Sequence, residues 1–240
     1  GERSMKNDFD VIVIGAGFAG LYALHHFRDV LGLSVRVFEA GDGVGGTWYW
    51  NRYPGARCDS ESFIYSYSFS RELEREWRWS SKYPEQPEIL RYLNHVADRF
   101  DLRRDISFHS RVAAAHFRDA GWDITLESGA SHRARFLVTA IGPLSAPTMP
   151  RIPGLADFRG QSFHTARWPH APVDFAGRRV AVIGTGATGV QIIGAIADQV
   201  DELVVYQRRP NWCAPLHNRP ISDAEMNEIR ADYERIFTTC

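Results

Sequence analysis

A short apolar run, a glycine turn and helix-spaced apolar residues follow one another twice in this chain. Phe9–Ile14 is the first run and reads as a buried parallel strand. It enters Gly15-Ala16-Gly17-Phe18-Ala19-Gly20, after which Leu21, Leu24, Phe27 and Leu31 continue at helical spacing. Arg179–Ile183, Gly184-Thr185-Gly186-Ala187-Thr188-Gly189 and a helix to about Ala197 repeat the pattern, again with a strand expected to be buried. Between them, Arg111–Phe117, Trp122–Glu127 and Arg133–Arg135 read as a β-meander bounded by Asp119–Gly121 and Ser128–Gly129. The meander feeds a further strand, Phe136–Gly142. The predicted class is therefore α/β, with two Rossmann-like dinucleotide-binding domains, the first carrying the inserted meander and the second incomplete.

Each glycine of the first turn has a physical task. Gly15 permits the tight turn, Gly17 lets backbone approach a pyrophosphate, and Gly20 lets helix and strand pack closely. The helix N-terminus supplies free N–H groups and a positive dipole end to phosphates. A second strand, Ser34–Phe38, ends at Glu39, about 20 residues beyond the last glycine, where a carboxylate accepts from ribose hydroxyls. A carboxylate there repels a 2′-phosphate, so the first ligand is FAD or NAD rather than NADP. Gly43-Val44-Gly45-Gly46-Thr47-Trp48 adds a second glycine turn, as flavoproteins with two dinucleotides have, which selects FAD. Trp48 and Trp50, flanked by glycines and Pro54-Gly55, either pack in the core or lie on a flat cofactor ring. For Trp77 and Trp79 the ordinary packing role is expected.

At the second site the strand Glu202–Tyr206 ends in Gln207-Arg208-Arg209, with arginines where the first site has an acid. Arginine pairs with a 2′-phosphate and selects NADP. The prolines of Gly142–Gly154 make a stiff extended linker between the two sites. The expected organisation is an FAD domain over 1–142, a linker over 143–178, the first part of an NADP domain over 179–221, and the start of a helical segment over 222–240. Ser222–Phe237 reads as one amphipathic helix, with Ser222 as N-cap and Glu225 at its third position.

Composition excludes other classes. Hydrophobic residues are 44% and charged residues 24%, ordinary for a globular protein, and a net charge of −1 leaves no footprint for nucleic acid or an anionic membrane. No apolar run approaches a membrane span. Cys58, Cys213 and Cys240 form neither a metal pattern nor a disulfide framework, and a redox pair is missing, which argues against a disulfide reductase. Gly1–Ser4 read as a cloning scar ahead of an initiator at Met5, and the expected location is cytoplasmic.

Two stretches carry a resemblance to a known family. Gly45–Asp59, Gly-Gly-Thr-Trp-Tyr-Trp-Asn-Arg-Tyr-Pro-Gly-Ala-Arg-Cys-Asp, resembles the flavin-loop motif of type I Baeyer–Villiger monooxygenases. Phe158–Pro169 matches their fingerprint Phe-x-Gly-x-x-x-His-x-x-x-Trp-Pro, through Gly160, His164 and Trp168. The resemblance runs from about Asp8 to Phe237. It implies that Gly15, Gly17, Phe18, Gly20, Glu39, Gly46, Thr47, Trp48, Asp59 and Tyr65 serve FAD, and that a backbone group of Val112 meets the adenine. Gly184, Thr185, Gly186, Thr188, Gly189 and Gln191 match the NADP loop, and Arg208 the 2′-phosphate ligand. Threonine is usual where Arg209 stands, so Arg209 either adds a second charge there or points to water. Arg57 suits packing or a contact with the nicotinamide cofactor.

The implied reaction takes a small ketone and molecular oxygen to an ester or lactone through a flavin C4a-peroxide, with NADPH as reductant. Its catalytic residues are Asp59, His164 and Trp168. Asp59 is implied to hold an arginine beside the peroxide, its plain alternative being a turn cap. His164 either braces the linker or acts directly. That arginine, and the strands completing both domains, are expected beyond Cys240, so the chain is expected to be a fragment or a separately encoded half, inactive on ketones alone. The alternatives are an N- or S-oxidising flavin monooxygenase, or a non-catalytic nucleotide-binding piece that needs a complementing chain.

Overall fold

The computed structural model describes residues 6–239; Gly1–Met5, with the inferred scar and initiator, and Cys240 lie outside the described residues. In chain order the elements are β1 (Phe9–Ile14), α1 (Phe18–His25), β2 (Val35–Phe38), α2 (Thr47–Trp50), α3 (Arg71–Glu76), α4 (Gln86–Arg99), β3 (Ile106–Ser107), β4 (Val112–Arg118), β5 (Gly121–Leu126), β6 (Ser131–Thr139), β7 (Arg179–Ile183), α5 (Ala187–Ile196), β8 (Glu202–Tyr206), α6 (Asp223–Ala231) and α7 (Tyr233–Thr239). They fall into two compact units, 1–50 with 90–148, and 51–89 with 149–240. Both units are discontinuous in sequence, whereas the sequence reading drew consecutive segments. Residues 51–89 group with the second unit.

The first unit holds a six-stranded sheet in the order β3-β2-β1-β6-β5-β4. The strands β1, β2, β3 and β6 run parallel, and β4 and β5 are antiparallel additions at one edge. Val11, Ile12 and Val13 are fully buried, as a central parallel strand requires. One expectation is corrected. The third meander strand and the strand after it are a single element, β6, which pairs with β5 on one side and β1 on the other, so that Ala134 faces both Trp122 and Phe9. An unbroken run of β-forming residues carries both pairings without a turn. The β4–β5 turn places Asp119 and Ala120 at positive φ (49° and 57°), as a two-residue hairpin of the right twist demands. Buried Arg133 braces it, donating to the carbonyls of Arg118 and Asp119 and pairing with Asp123 at 2.7 Å.

After α1 the helix widens into a π turn over His26–Val30, and Leu31 emerges 53% exposed rather than continuing the buried stripe. The fully buried face of α4, with Tyr92, Leu93, Val96 and Ala97, was not anticipated from the sequence.

In the second unit β7 and β8 pair in parallel over the predicted residues. They are not buried strands, however: Ile183 is 60% and Tyr206 58% exposed. One face packs Val180, Val182 and Leu203 against α5 through Ile192 and Ile196, and a two-stranded sheet covers little of the other. The single helix expected over 222–237 is two helices, α6 and α7, broken at Asp232 (φ −119°, ψ 12°). Ser222 does cap α6, its hydroxyl accepting from the Glu225 N–H at 3.2 Å. The Glu225 carboxylate pairs with Arg219 instead of returning to the cap.

Asp10 pins the entry to β1 against that of β2. Its carboxylate accepts from the Ser34 N–H at 2.8 Å and hydroxyl at 2.9 Å. The Ser34 N–H, chiefly, and then its hydroxyl hold the Asp10 carboxyl below its ordinary 3.8. Because the folded pKa is depressed, this stabilisation is present above the ordinary carboxylate range and is lost as pH falls through the folded value. Chemical denaturation of Asp10→Asn and wild type should therefore show a gap near neutrality that closes under acid. A gap that stays constant down to about pH 2 would contradict it.

Candidate functional sites

In the first unit, two glycine turns and the end of β2 converge on the peptide of Ala16. Glu39 is 4% exposed, and its two carboxylate oxygens accept separately from the N–H of Ala16 at 2.8 Å and of Gly41 at 2.7 Å. The Gly45 N–H donates to the Ala16 carbonyl at 2.9 Å. The turns touch backbone to backbone: Gly46 has φ +53°, and a Cβ there would stand 2.8 Å from the Cα of Gly17. Gly20 is as constrained, since a Cβ would meet the Gly15 carbonyl oxygen at 1.8 Å. His109 and Ser110 donate to the carbonyls of Gly41 and Glu39, which brings the start of β4, and with it Val112, to the same loop.

Gly17 is the N-cap of α1, and no side chain caps the helix there. Phe18 follows, its ring 6.2 Å from that of Tyr92. Thr47 opens α2, and Trp48 is buried in it at 8% exposure. Sequence reasoning missed Tyr49. Its ring covers Gly41 and Gly43, and its hydroxyl donates to Asp42 at 2.6 Å. An aromatic flanked by two glycine turns was the available signal.

In the second unit the turn from β7 to α5 has the same form. Gly184 has φ +105°, a Cβ on Gly189 would stand 2.4 Å from the Gly184 carbonyl oxygen, and Gly186 caps α5 without a side chain. Thr185 accepts from the Gln207 amide at 2.9 Å, joining the turn to the end of β8. Arg208 and Arg209, just beyond, are both exposed.

Gln191 was matched to the nucleotide loop, but here its side chain is spent on another loop. Its Oε1 accepts from the Tyr53 hydroxyl at 2.7 Å and the Arg57 N–H at 3.4 Å, and its Nε2 donates to the Arg57 carbonyl at 3.1 Å. Burial pushes the Tyr53 phenol up; the Thr188 hydroxyl pulls against that, and Asp59 adds to it. The Arg57 guanidinium pairs with Glu85 at 2.7 Å, while Asp59 is exposed. Tyr65 ends a short turn, its N–H donating to the Glu61 carbonyl. His164 Nδ1 accepts from the Ala166 N–H at 3.1 Å, capping the turn Thr165–Arg167. Trp168 packs beside Phe163 and Phe175, with ring centroids at 5.3 and 6.3 Å. Trp79 is buried, and its indole N–H donates to Ser66.

Two glycine turns of one design, one with an acidic and one with a basic strand end, agree with a family model described as flavin-binding monooxygenase-like, which matches residues 8–220. The chain belongs to that family. It is 47% identical over 237 residues to a Baeyer-Villiger monooxygenase from Pseudooceanicola batsensis, covering 98% of this chain and 43% of that protein. It is also 47% identical to a phenazine N-monooxygenase from Lysobacter antibioticus, covering 97% of this chain and 43% of that protein. Among solved structures it resembles an oxidized steroid monooxygenase bound to NADP, at 57% identity and a TM-score of 0.90 over 95% of this chain and 44% of that one. The chain thus spans less than half the length of the relatives it matches. Among the described residues of this family member, no helix is long and apolar enough to cross a membrane.

The Glu39 clamp can be tested without any ligand. Glu39→Gln keeps the shape but turns an NH2 group toward one of two backbone donors. It should lower apo-protein stability by about 1–3 kcal/mol in denaturant titrations. Wild-type stability in Glu39→Gln would mean that water serves the two amides equally well.

Proposed function

We propose that this chain carries the FAD- and NADPH-binding elements of a Baeyer–Villiger-type monooxygenase, which inserts one oxygen atom beside a ketone carbonyl to give an ester or lactone. The observation that carries the reading is the contrast between a buried glutamate at the end of β2 and two exposed arginines at the end of β8. Both turns fit a dinucleotide: glycines admit close approach, and neither helix is capped by a side chain that a phosphate would have to displace. When bound, the flavin and nicotinamide supply hydride transfer and oxygen activation.

The protein's share is positioning. Glu39 keeps acceptor capacity beyond its two backbone donors, enough for a ribose hydroxyl. Arg208, and Arg209 if it turns inward, would meet a 2′-phosphate. Exposed Asp59 is suited to anchor a cation where negative charge develops in the reaction. The cap made by His164 and the packing of Trp168 support the bracing role for the Phe158–Pro169 fingerprint rather than contact with reacting atoms. A cytosolic setting belongs to the proposal, supported by the free thiols of Cys58 and Cys213.

A second reading, N-oxidation, is favoured by the N-monooxygenase among the relatives. Ketones and aromatic N-heterocycles offered in parallel to the full-length enzyme, with mass spectrometry of the products, separate the two. Esters from ketones support the first reading, and N-oxides alone support the second. In the same protein, Asp59→Ala should lower oxygenation far more than flavin content. For the nucleotide, Arg208→Ala should weaken NADPH binding by about 1.5–3 kcal/mol, roughly tenfold or more, and leave NADH nearly unchanged. Equal affinity of the wild type for NADH and NADPH in calorimetric titrations would overturn the assignment of the second site.

A further inference from the structure

The Pro54–Asp59 loop and helix α5 are far apart in sequence and tightly joined in the second unit. The Gln191 amide pairs with both the N–H and the carbonyl of Arg57, as one β-strand residue pairs with another, and takes the Tyr53 hydroxyl as a third partner. Gly55 sits on the helix backbone: with φ +80°, a Cβ there would stand 2.6 Å from the Gln191 carbonyl oxygen and 2.8 Å from the Ala195 Cβ. Tyr53, Ala56, Ile192 and Ile196 close an apolar cluster beneath this contact. Thr188, one helical turn before Gln191, is near enough to the Tyr53 phenol to pull its pKa down against burial. Thr188, Gln191, Ile192, Ala195 and Ile196 all lie on α5, one to nine residues from its start.

From this geometry we infer that Gln191 is a positioning residue that couples occupancy of the second nucleotide turn to the placement of the loop bearing Arg57 and Asp59. A dinucleotide at the N-terminus of α5 orders Thr188 and the first helical turn. Through Tyr53 and Gln191 that ordering restricts the Arg57 peptide, and Asp59 two residues on. Occupancy of the turn then adds to the hold that the loop already has from its own backbone partners, the Gln86 N–H on the Ala56 carbonyl at 2.9 Å and the Cys58 N–H on the Pro84 carbonyl at 3.0 Å. The inference rests on the proposal that the β7–α5 turn takes NADP.

The test is amide hydrogen exchange over Tyr53–Asp59 in the full-length, FAD-loaded protein, with and without NADP+, alongside calorimetric NADP+ binding. In the wild type, NADP+ should slow exchange in this segment. In Gln191→Ala, which loses all three of these hydrogen bonds, the segment should exchange at least about fivefold faster, the factor expected for a single one, and no longer respond to NADP+ although NADP+ still binds. Tyr53→Phe, which keeps the ring and the fold, should shift exchange in the same direction by less. Failure of the wild type to bind NADP+ would overturn the second-site reading, and the coupling with it. NADP+ binding with a loop that does not respond, or with the same response in wild type and both variants, would overturn the coupling alone.

Discussion

Glu39 ends β2 with each carboxylate oxygen taken by a backbone N–H, and the loops of the first unit are arranged around that fact. A buried carboxylate without partners is costly, and hydrogen bonds to a charged group are worth about 1.5–3 kcal/mol each. The chain meets this constraint by bringing the turn after β1 and the turn after β2 to the same carboxylate. Once Ala16 and Gly41 are held there, Gly46 passes within backbone contact of Gly17, so that a Cβ on Gly46 would clash at 2.8 Å and one on Gly17 would be tight at 3.3 Å. The glycine turn is therefore shaped by the chain's own contacts. Such preorganisation spares a ligand the entropy of ordering the loop.

The second unit solves a similar problem with a neutral group. Gln191 has both an acceptor and a donor, so a single amide satisfies both polar groups of the Arg57 peptide and still accepts from Tyr53. A glutamate could not donate to the carbonyl, and a leucine could do neither. The consequence is a division of labour in the flavin-loop motif. Thr47 and Trp48 belong to the first compact unit, whereas Arg57 and Asp59 belong to the second. A stretch that is one motif in sequence is mounted on two bodies.

Much of this was legible beforehand. Phe9–Ile14, Arg179–Ile183 and Glu202–Tyr206 are strands over the residues expected, and Ser222 caps a helix as its spacing indicated. Where the reading departed from the molecule, tertiary context was responsible. Burial of β7 was inferred from apolar content, but burial is a property of what covers a strand, and a two-stranded sheet is covered on one face. The helix over 222–237 breaks at Asp232, where local propensity gave no warning. The β6 strand was divided because its two partners lie on opposite sides and leave different sequence signatures.

The sequence by itself determined the two glycine turns and the contrast in charge between their strand ends, because strand, glycine turn, helix and strand-end charge are encoded within short contiguous windows whose sterics admit few alternatives. It also determined the family, through motifs of the same local kind. Only the tertiary structure decided where side chains with several possible partners would spend their hydrogen bonds. Gln191 meets Tyr53 across 138 residues, Glu39 takes Ala16 rather than solvent, and His164 turns to the nearby Ala166 N–H. A polar side chain carries no record of which distant donor folding will bring to it. That choice depends on packing of the whole unit, and the positions of Arg57 and Asp59 depend on it in turn.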